Sequence, residues 1–183
     1  MRVLAKIIFV VLSVFLLLYL ILPNPDFPEP PSDALQSNEP ADTETSLRRA
    51  YFTNYTREEV MTHYKKQFEK SRFLGTPLPT YRLNYPPEEA QVIIRDQTRS
   101  TFLEEIVHPF RESVFVNGFE PREPKDAIFI RERDWRQKII VRFVPTSTLV
   151  RVVISVSSLF LVFVVFRNWD DALRSLFGRT KNA

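Results

Sequence analysis

Two histidines, His63 and His108, are the natural starting points for proton or metal chemistry in this chain of 183 residues. Each has a glutamate nearby at helical spacing: Glu59 lies four residues before His63, and Glu105 three residues before His108. On an α-helix both spacings bring the two side chains onto one face. Di-iron carboxylate sites use Glu-x-x-His pairs, but they need two such pairs together with further carboxylates. A single pair arises easily by chance. Glu105, His108 and His63 are therefore the metal candidates, and the expectation is that they bind none. His108, followed by Pro109, is read as closing a helix, with its ring at the negative end of the dipole.

Other routes to catalysis narrow quickly. Cysteine is absent, which removes disulfides, thiol nucleophiles, thiolate-bound zinc and iron–sulfur clusters. The three glycines, Gly75, Gly118 and Gly178, are too scattered for a phosphate-cradling loop or a nucleophile elbow. A serine triad would lack its strained turn and oxyanion glycine. A Ser–Lys dyad leaves no sequence signature. No catalytic residue and no cofactor is assigned, and the reading leans away from an enzyme.

Two apolar runs bracket these residues. Residues 3–22 are interrupted only by Lys6, Ser13 and Tyr19. At ~1.5 Å per residue the run spans ~30 Å, the thickness of a bilayer's hydrocarbon core. A cleavage site wants small residues at alternate positions, and Leu-Ile-Leu-Pro-Asn-Pro follows instead. Residues 1–22 are thus read as an uncleaved signal anchor, with Lys6 snorkelling to the headgroups. The second run, residues 147–166, carries one charge, Arg151, near its start. Twenty residues exceed the ~10 of a long strand and fit a membrane helix. Ser155, Ser157 and Ser158 could bond to the first helix or back to their own carbonyls.

Orientation follows from the flanking charges. Arg2 and Lys6 stand at the start, and Arg167, Arg174, Arg179 and Lys181 follow the second run. The positive-inside rule puts both termini in the cytoplasm and residues 23–146 outside. Lys6, Arg151, Arg167 and Trp169 are the expected membrane-interface residues. The tail, residues 167–183, places Trp169, Leu173, Leu176 and Phe177 on one face of a short amphipathic helix. The expected setting is a bacterial plasma membrane.

Between the spans, residues 23–45 hold six prolines, six acids and no basic residue. This composition predicts an extended spacer. Residues 46–146 carry the domain. Thr56 and Glu59 form a capping box ahead of an apolar stripe of Val60, Met61, Tyr64 and Phe68, with Gly75 as a stop signal. "YRLNY" at 81–85 alternates like a half-buried strand, and Pro86, Pro87, Glu88 and Glu89 open a helix. "AQVIIRD" at 90–96 is read as either its continuation or a short strand. Thr101 and Glu104 suggest a second capping box, with Phe102, Ile106 and Phe110 as the helix stripe. "SVFVNGF", "AIFIRE" and "KIIVRFV" read as three strands, with "RERDWR" joining the last two. The fold class is α+β: a small extracytoplasmic domain of helices and a mostly antiparallel sheet between two transmembrane helices.

Asn54 begins an Asn-Tyr-Thr glycosylation acceptor, relevant only in a eukaryotic secretory route. Residues 46–146 carry 18 Lys/Arg against 14 Asp/Glu, a mixed solvated surface rather than a nucleic-acid footprint. The expected partners are the lipid bilayer and another membrane or envelope protein, with no nucleic acid. The leading functional expectation is a non-catalytic two-pass protein whose outer domain binds a partner or scaffolds an assembly. The alternatives are a membrane-tethered envelope enzyme using His63, His108 and nearby carboxylates, or a sensor acting through a cytoplasmic partner of the tail.

Overall fold

The computed structural model describes residues 3–93 and 100–178. In chain order the elements are helix α1 (Val3–Ile21), strands β1 (Leu35–Gln36) and β2 (Arg48–Thr53), helix α2 (Arg57–Phe68), and strands β3 (Arg72–Phe73), β4 (Thr76–Pro77) and β5 (Tyr81–Tyr85). Helix α3 (Pro87–Ile93) follows, then β6 (Phe102–His108), β7 (Glu112–Phe119), β8 (Ile128–Ile130), β9 (Arg133–Trp135), β10 (Gln137–Val144) and helix α4 (Thr148–Gly178). The chain divides into two units. One comprises the terminal stretches up to Pro23 and from Thr146, and the other is Asn24–Pro145.

The central unit is an antiparallel sheet of six strands in the order β1-β2-β10-β7-β6-β5. Helix α2 covers one face. Its entry is the capping box expected from sequence: Thr56 Oγ1 accepts from the Glu59 amide at 3.2 Å, and Glu59 Oε2 accepts from the Thr56 amide at 2.8 Å. These bonds satisfy amides that the first turn leaves without partners. Val60, Met61, Tyr64 and Phe68 are buried against Tyr51, Phe102, Ile106, Val114, Val116, Ile139, Val141 and Phe143 of the strands. Strand alternation sends the odd-numbered positions of β10 into this core. Helix α3 closes part of the other face through Ala90 and Leu103, with Tyr85, Ile93 and Phe115 beside them.

Four sequence expectations change. Residues 24–45 are part of the domain rather than a free spacer. Leu35 and Gln36 pair with Phe52 and Tyr51, Phe27 and Ala34 pack on the core, and Asp33 accepts from Thr53 Oγ1 at 2.6 Å and the Asn54 amide at 2.7 Å. Proline and acid content did suit extended backbone, but that backbone finds its partners on the sheet.

Residues 102–108 form β6, not a helix. Phe102, Ile106 and Phe110 recur every four residues, a spacing shared by a helix face and by every second pair of strand positions. The Thr101 hydroxyl donates to the Gly118 carbonyl at 2.7 Å instead of capping. Gly75 does not end α2, which closes at Phe68. With Leu74 it makes the two-residue turn between β3 and β4, both at positive φ. "RERDWR" is a turn plus a strand, since Arg133–Trp135 pairs with Ile128–Ile130.

In the terminal unit, α1 and α4 are each long and apolar enough to cross a membrane, through Val3–Ile21 and Thr148–Trp169. Helix α4 continues without a break past residue 166 to Gly178. The helical face expected from Leu173, Leu176 and Phe177 involves side chains outside the described ones, as do Arg2, Arg179, Lys181 and the alternative readings for residues 94–96.

Candidate functional site

A fully buried group of ionisable side chains in the central unit lies where β6 turns into β7. His108 and Glu112 face each other across the last rung of this hairpin. His108 Nδ1 donates to Glu112 Oε1 at 2.7 Å, and Arg111 Nη2 lies 3.2 Å from the same oxygen, with all three side chains sealed from solvent. The Phe68 ring stacks on the imidazole at 4.2 Å and 13°. An imidazole held by a carboxylate is the orienting half of many acid–base sites. Here the ring is roofed by the core phenylalanine of α2 and fully buried. The group works as an internal ion pair: Arg111 and His108 compensate a carboxylate that would be expensive to bury alone.

A second charged group continues along β6. Glu104 is 2% exposed, and its Oε1 accepts from Arg57 Nε at 2.6 Å while Oε2 lies 3.2 Å from Arg82 Nε. Arg57 comes from the first turn of α2 and Arg82 from the edge strand β5, so the acid ties both neighbours to β6. At the other flank, Lys138 meets Asp42 at 2.7 Å and Glu39 at 2.8 Å. Partial burial of Lys138 pulls its pKa down, but the hydrogen bonds to the two acids outweigh this and the net shift is upward.

An accessible concavity lies at the opposite end of the sheet, beside β8 and β9. It is a cleft of about 360 Å³ lined by Glu120, Arg122, Glu123, Asp134, Trp135 and Arg136 among others. Trp135 is fixed in place, its Nε1 donating to the Ile130 carbonyl at 3.2 Å and its ring under Arg133 at 4.5 Å. Arg136 and Glu120 pair at 2.9 Å across the wall. Small-molecule pockets are mostly apolar with a few convergent polar groups. Here charged side chains alternate with Pro121, Pro124, Ala127 and Ile128 around one indole, so the lining is mixed.

The sequence candidates do not meet in one place. Glu105 lies on the face of β6 opposite His108, because residues three apart on a strand alternate. There it accepts from Tyr85 Oη at 2.7 Å, and that bond pushes the phenol's pKa up to about 12. His63 Nε2 lies 2.9 Å from the Glu29 carbonyl and 2.8 Å from Gln67 Nε2, holding the incoming chain against α2. Among the described residues, no three groups of metal-ligating type gather. Asn54 is exposed, but its Oδ1 accepts from the Arg136 amide at 2.9 Å.

In the terminal unit, Lys6, Arg167 and Trp169 are exposed on their helices. Arg151 is 4% exposed. Its Nη2 donates to Thr148 Oγ1 at 2.8 Å and to the Leu22 carbonyl at 3.2 Å, just past the C-terminal end of α1, where a cation is favourable. Sequence reasoning missed Arg111, Glu112, Glu104 and the Trp135 cleft. Only the side-by-side Arg111-Glu112 was visible as a charge pair, and nothing in its composition marked it as buried. Compared with known protein families, with curated proteins and with solved structures, the chain matches none.

Proposed function

We propose that this is a two-pass integral membrane protein whose central α+β domain binds a partner protein or scaffolds a membrane assembly, without catalysis. Both termini lie in the cytoplasm, and residues 23–146 lie outside a plasma membrane of bacterial type. One observation carries the reading: α1 and α4 turn large apolar side chains outward along their length, from Val3, Ile7 and Val10 to Phe160, Phe163 and Phe166. Apolar surface of that extent is unstable in water and is at home in hydrocarbon, where a helix satisfies its own backbone. Arg151 supports it further, because a guanidinium at a helix end is held by the polar groups there.

The partner is read as another membrane or envelope protein, and the Trp135 cleft is its contact. Rigid aromatic and arginine groups in one concavity are the anchors that protein interfaces favour. The positions of the histidines and Glu105 favour this reading over the enzyme alternative: His108 is buried, His63 is engaged with the chain at Glu29, and Glu105 faces the other side of the sheet.

Two measurements test the proposal. A reporter fused after Ala183 is expected to behave as cytoplasmic and one inserted near Asn38 as external; reversal of either overturns the topology. A photoreactive residue replacing Arg122, which is exposed in the cleft wall, is expected to crosslink one discrete membrane or envelope protein. The same residue replacing exposed Glu58, on α2, is expected not to. Equal labelling from both positions overturns the cleft as the contact.

A further inference from the structure

All four non-glycine residues at positive φ among the described ones sit at the tips of hairpins: Leu74 (φ 50), Phe110 (φ 62), Arg131 (φ 53) and Glu132 (φ 61). That backbone region favours glycine or asparagine, so each tip carries a side chain its local geometry does not ask for. The chemistry splits by location. The β8–β9 tip, which leads through Trp135 to the start of β10, carries Arg131 and Glu132. The β3–β4 and β6–β7 tips carry leucine and phenylalanine, 76% and 82% exposed.

The two apolar tips share one end of the domain. Helix α2 runs toward the β6–β7 turn, where Phe68 meets His108. The β3–β4 hairpin lies between the end of α2 and Tyr81, which pairs with Val107 beside that turn. Leu47, whose carbonyl accepts from the Phe143 amide, and Val144, paired with Ser113, also lie at this end and are exposed. Both tethers leave from here as well. Val144 is one residue from Pro145, where the unit ends. At the other tether, Phe27 lies under Arg49 at 4.3 Å, and the chain then runs away to Asp33 beside Thr53 at the far end.

We propose that this end of the domain rests on the lipid bilayer, with Phe110 and Leu74 sunk between headgroups at the boundary with the acyl chains. The proposal rests on the two-pass reading above. Side chains that gain nothing from water and stand on strained tips gain burial at a lipid surface. The same backbone positions at the solvated end carry charges.

The natural absence of cysteine makes the test direct. The full chain is reconstituted in phosphatidylcholine vesicles containing phosphatidylglycerol, with a single cysteine replacing Leu74, Phe129 or Phe163 and carrying an environment-sensitive dye. Lipids brominated near the headgroup or deep in the acyl chain serve as quenchers. The label at 163, inside α4, reports the two-pass reading and is expected to be quenched by the deep bromines. The label at 74 is expected to shift to the blue and to be quenched by the shallow bromines. The label at 129, on β8, is expected to show neither effect. Adding Phe110→Asp is expected to abolish the quenching at 74. If 163 is quenched while 74 behaves like 129, the lipid contact is wrong and the two-pass reading stands. If 74 is shielded from aqueous iodide but not reached by bromolipid, a protein covers this end and the proposal falls. An unquenched label at 163 overturns the two-pass reading and the proposal with it.

Discussion

Residues 24–45 are expected to decide whether the domain folds alone. A fragment of residues 24–145 keeps the whole central unit, and one of residues 46–146 removes its first segment. The deletion strips Asp33, whose carboxylate accepts from Thr53 Oγ1 and the Asn54 amide. Losing these charge-assisted bonds costs about 3 kcal/mol. Phe27 is partly buried on the core, and half of its burial is worth about 1 kcal/mol. Lys138 loses both Asp42 and Glu39, and since it is only partly exposed this costs about another 1 kcal/mol. The total is about 5 kcal/mol, against a whole-domain margin of ~5–15 kcal/mol. At about 4 °C per kcal/mol, the shorter fragment is expected to melt roughly 20 °C lower or to lack a cooperative transition. Circular dichroism melts of both fragments at one protein concentration make the comparison. Equal melting temperatures would refute the assignment and restore the segment as a free spacer.

Three further outcomes are expected. Phe68→Ala removes the ring packed on His108 in the core and is expected to cost ~3–5 kcal/mol in denaturant unfolding, with a value under ~1 kcal/mol placing Phe68 outside the core. Gly118→Ala drives a Cβ into the Phe102 ring and is expected to cost ~1–3 kcal/mol by overpacking; adding Phe102→Leu should recover part of that loss, and an additive double variant would count against the contact. The Glu59 carboxyl is held below its usual pKa, chiefly by the Thr56 amide. A lowered folded-state value means that its contribution is complete above the ordinary glutamate pKa of about 4.3 and fades as pH falls through the lowered value. Glu59→Gln is therefore expected to flatten the stability–pH curve in that acid window, and an unchanged curve would show that the carboxylate contributes nothing there.

What was legible in the sequence was whatever a short window contains. The box at Thr56 and Glu59 and the stripe ending at Phe68 span one helix, so α2 could be read directly, and local patterning was enough for the strands at 81–85 and 137–144, although Tyr81 and Leu83 of the first are exposed rather than half-buried. The missed features depend on residues far apart. Glu104 breaks the apolar alternation of β6 with an acid on the core face, and of the two cations that permit it, Arg57 and Arg82, the first lies 47 positions away. Without that partner in view, Thr101, Glu104 and a four-residue apolar spacing pass for a capped helix. His108 is a parallel case: its neighbours in sequence suggest a helix end, while its burial depends on Phe68 and on a hairpin that brings Glu112 opposite. The acids of residues 24–45 looked like the charge of a solvated spacer because their partners, Thr53, Asn54 and Lys138, all lie beyond it. Charged residues at core or sheet-edge positions are thus where sequence periodicity misleads most, because a buried charge is tolerated only with a partner and that partner is set by topology. The two apolar hairpin tips show the converse. Leu74 and Phe110 are ordinary residues in the sequence, and they become unusual only when backbone geometry places them on strained, exposed turns beside both tethers.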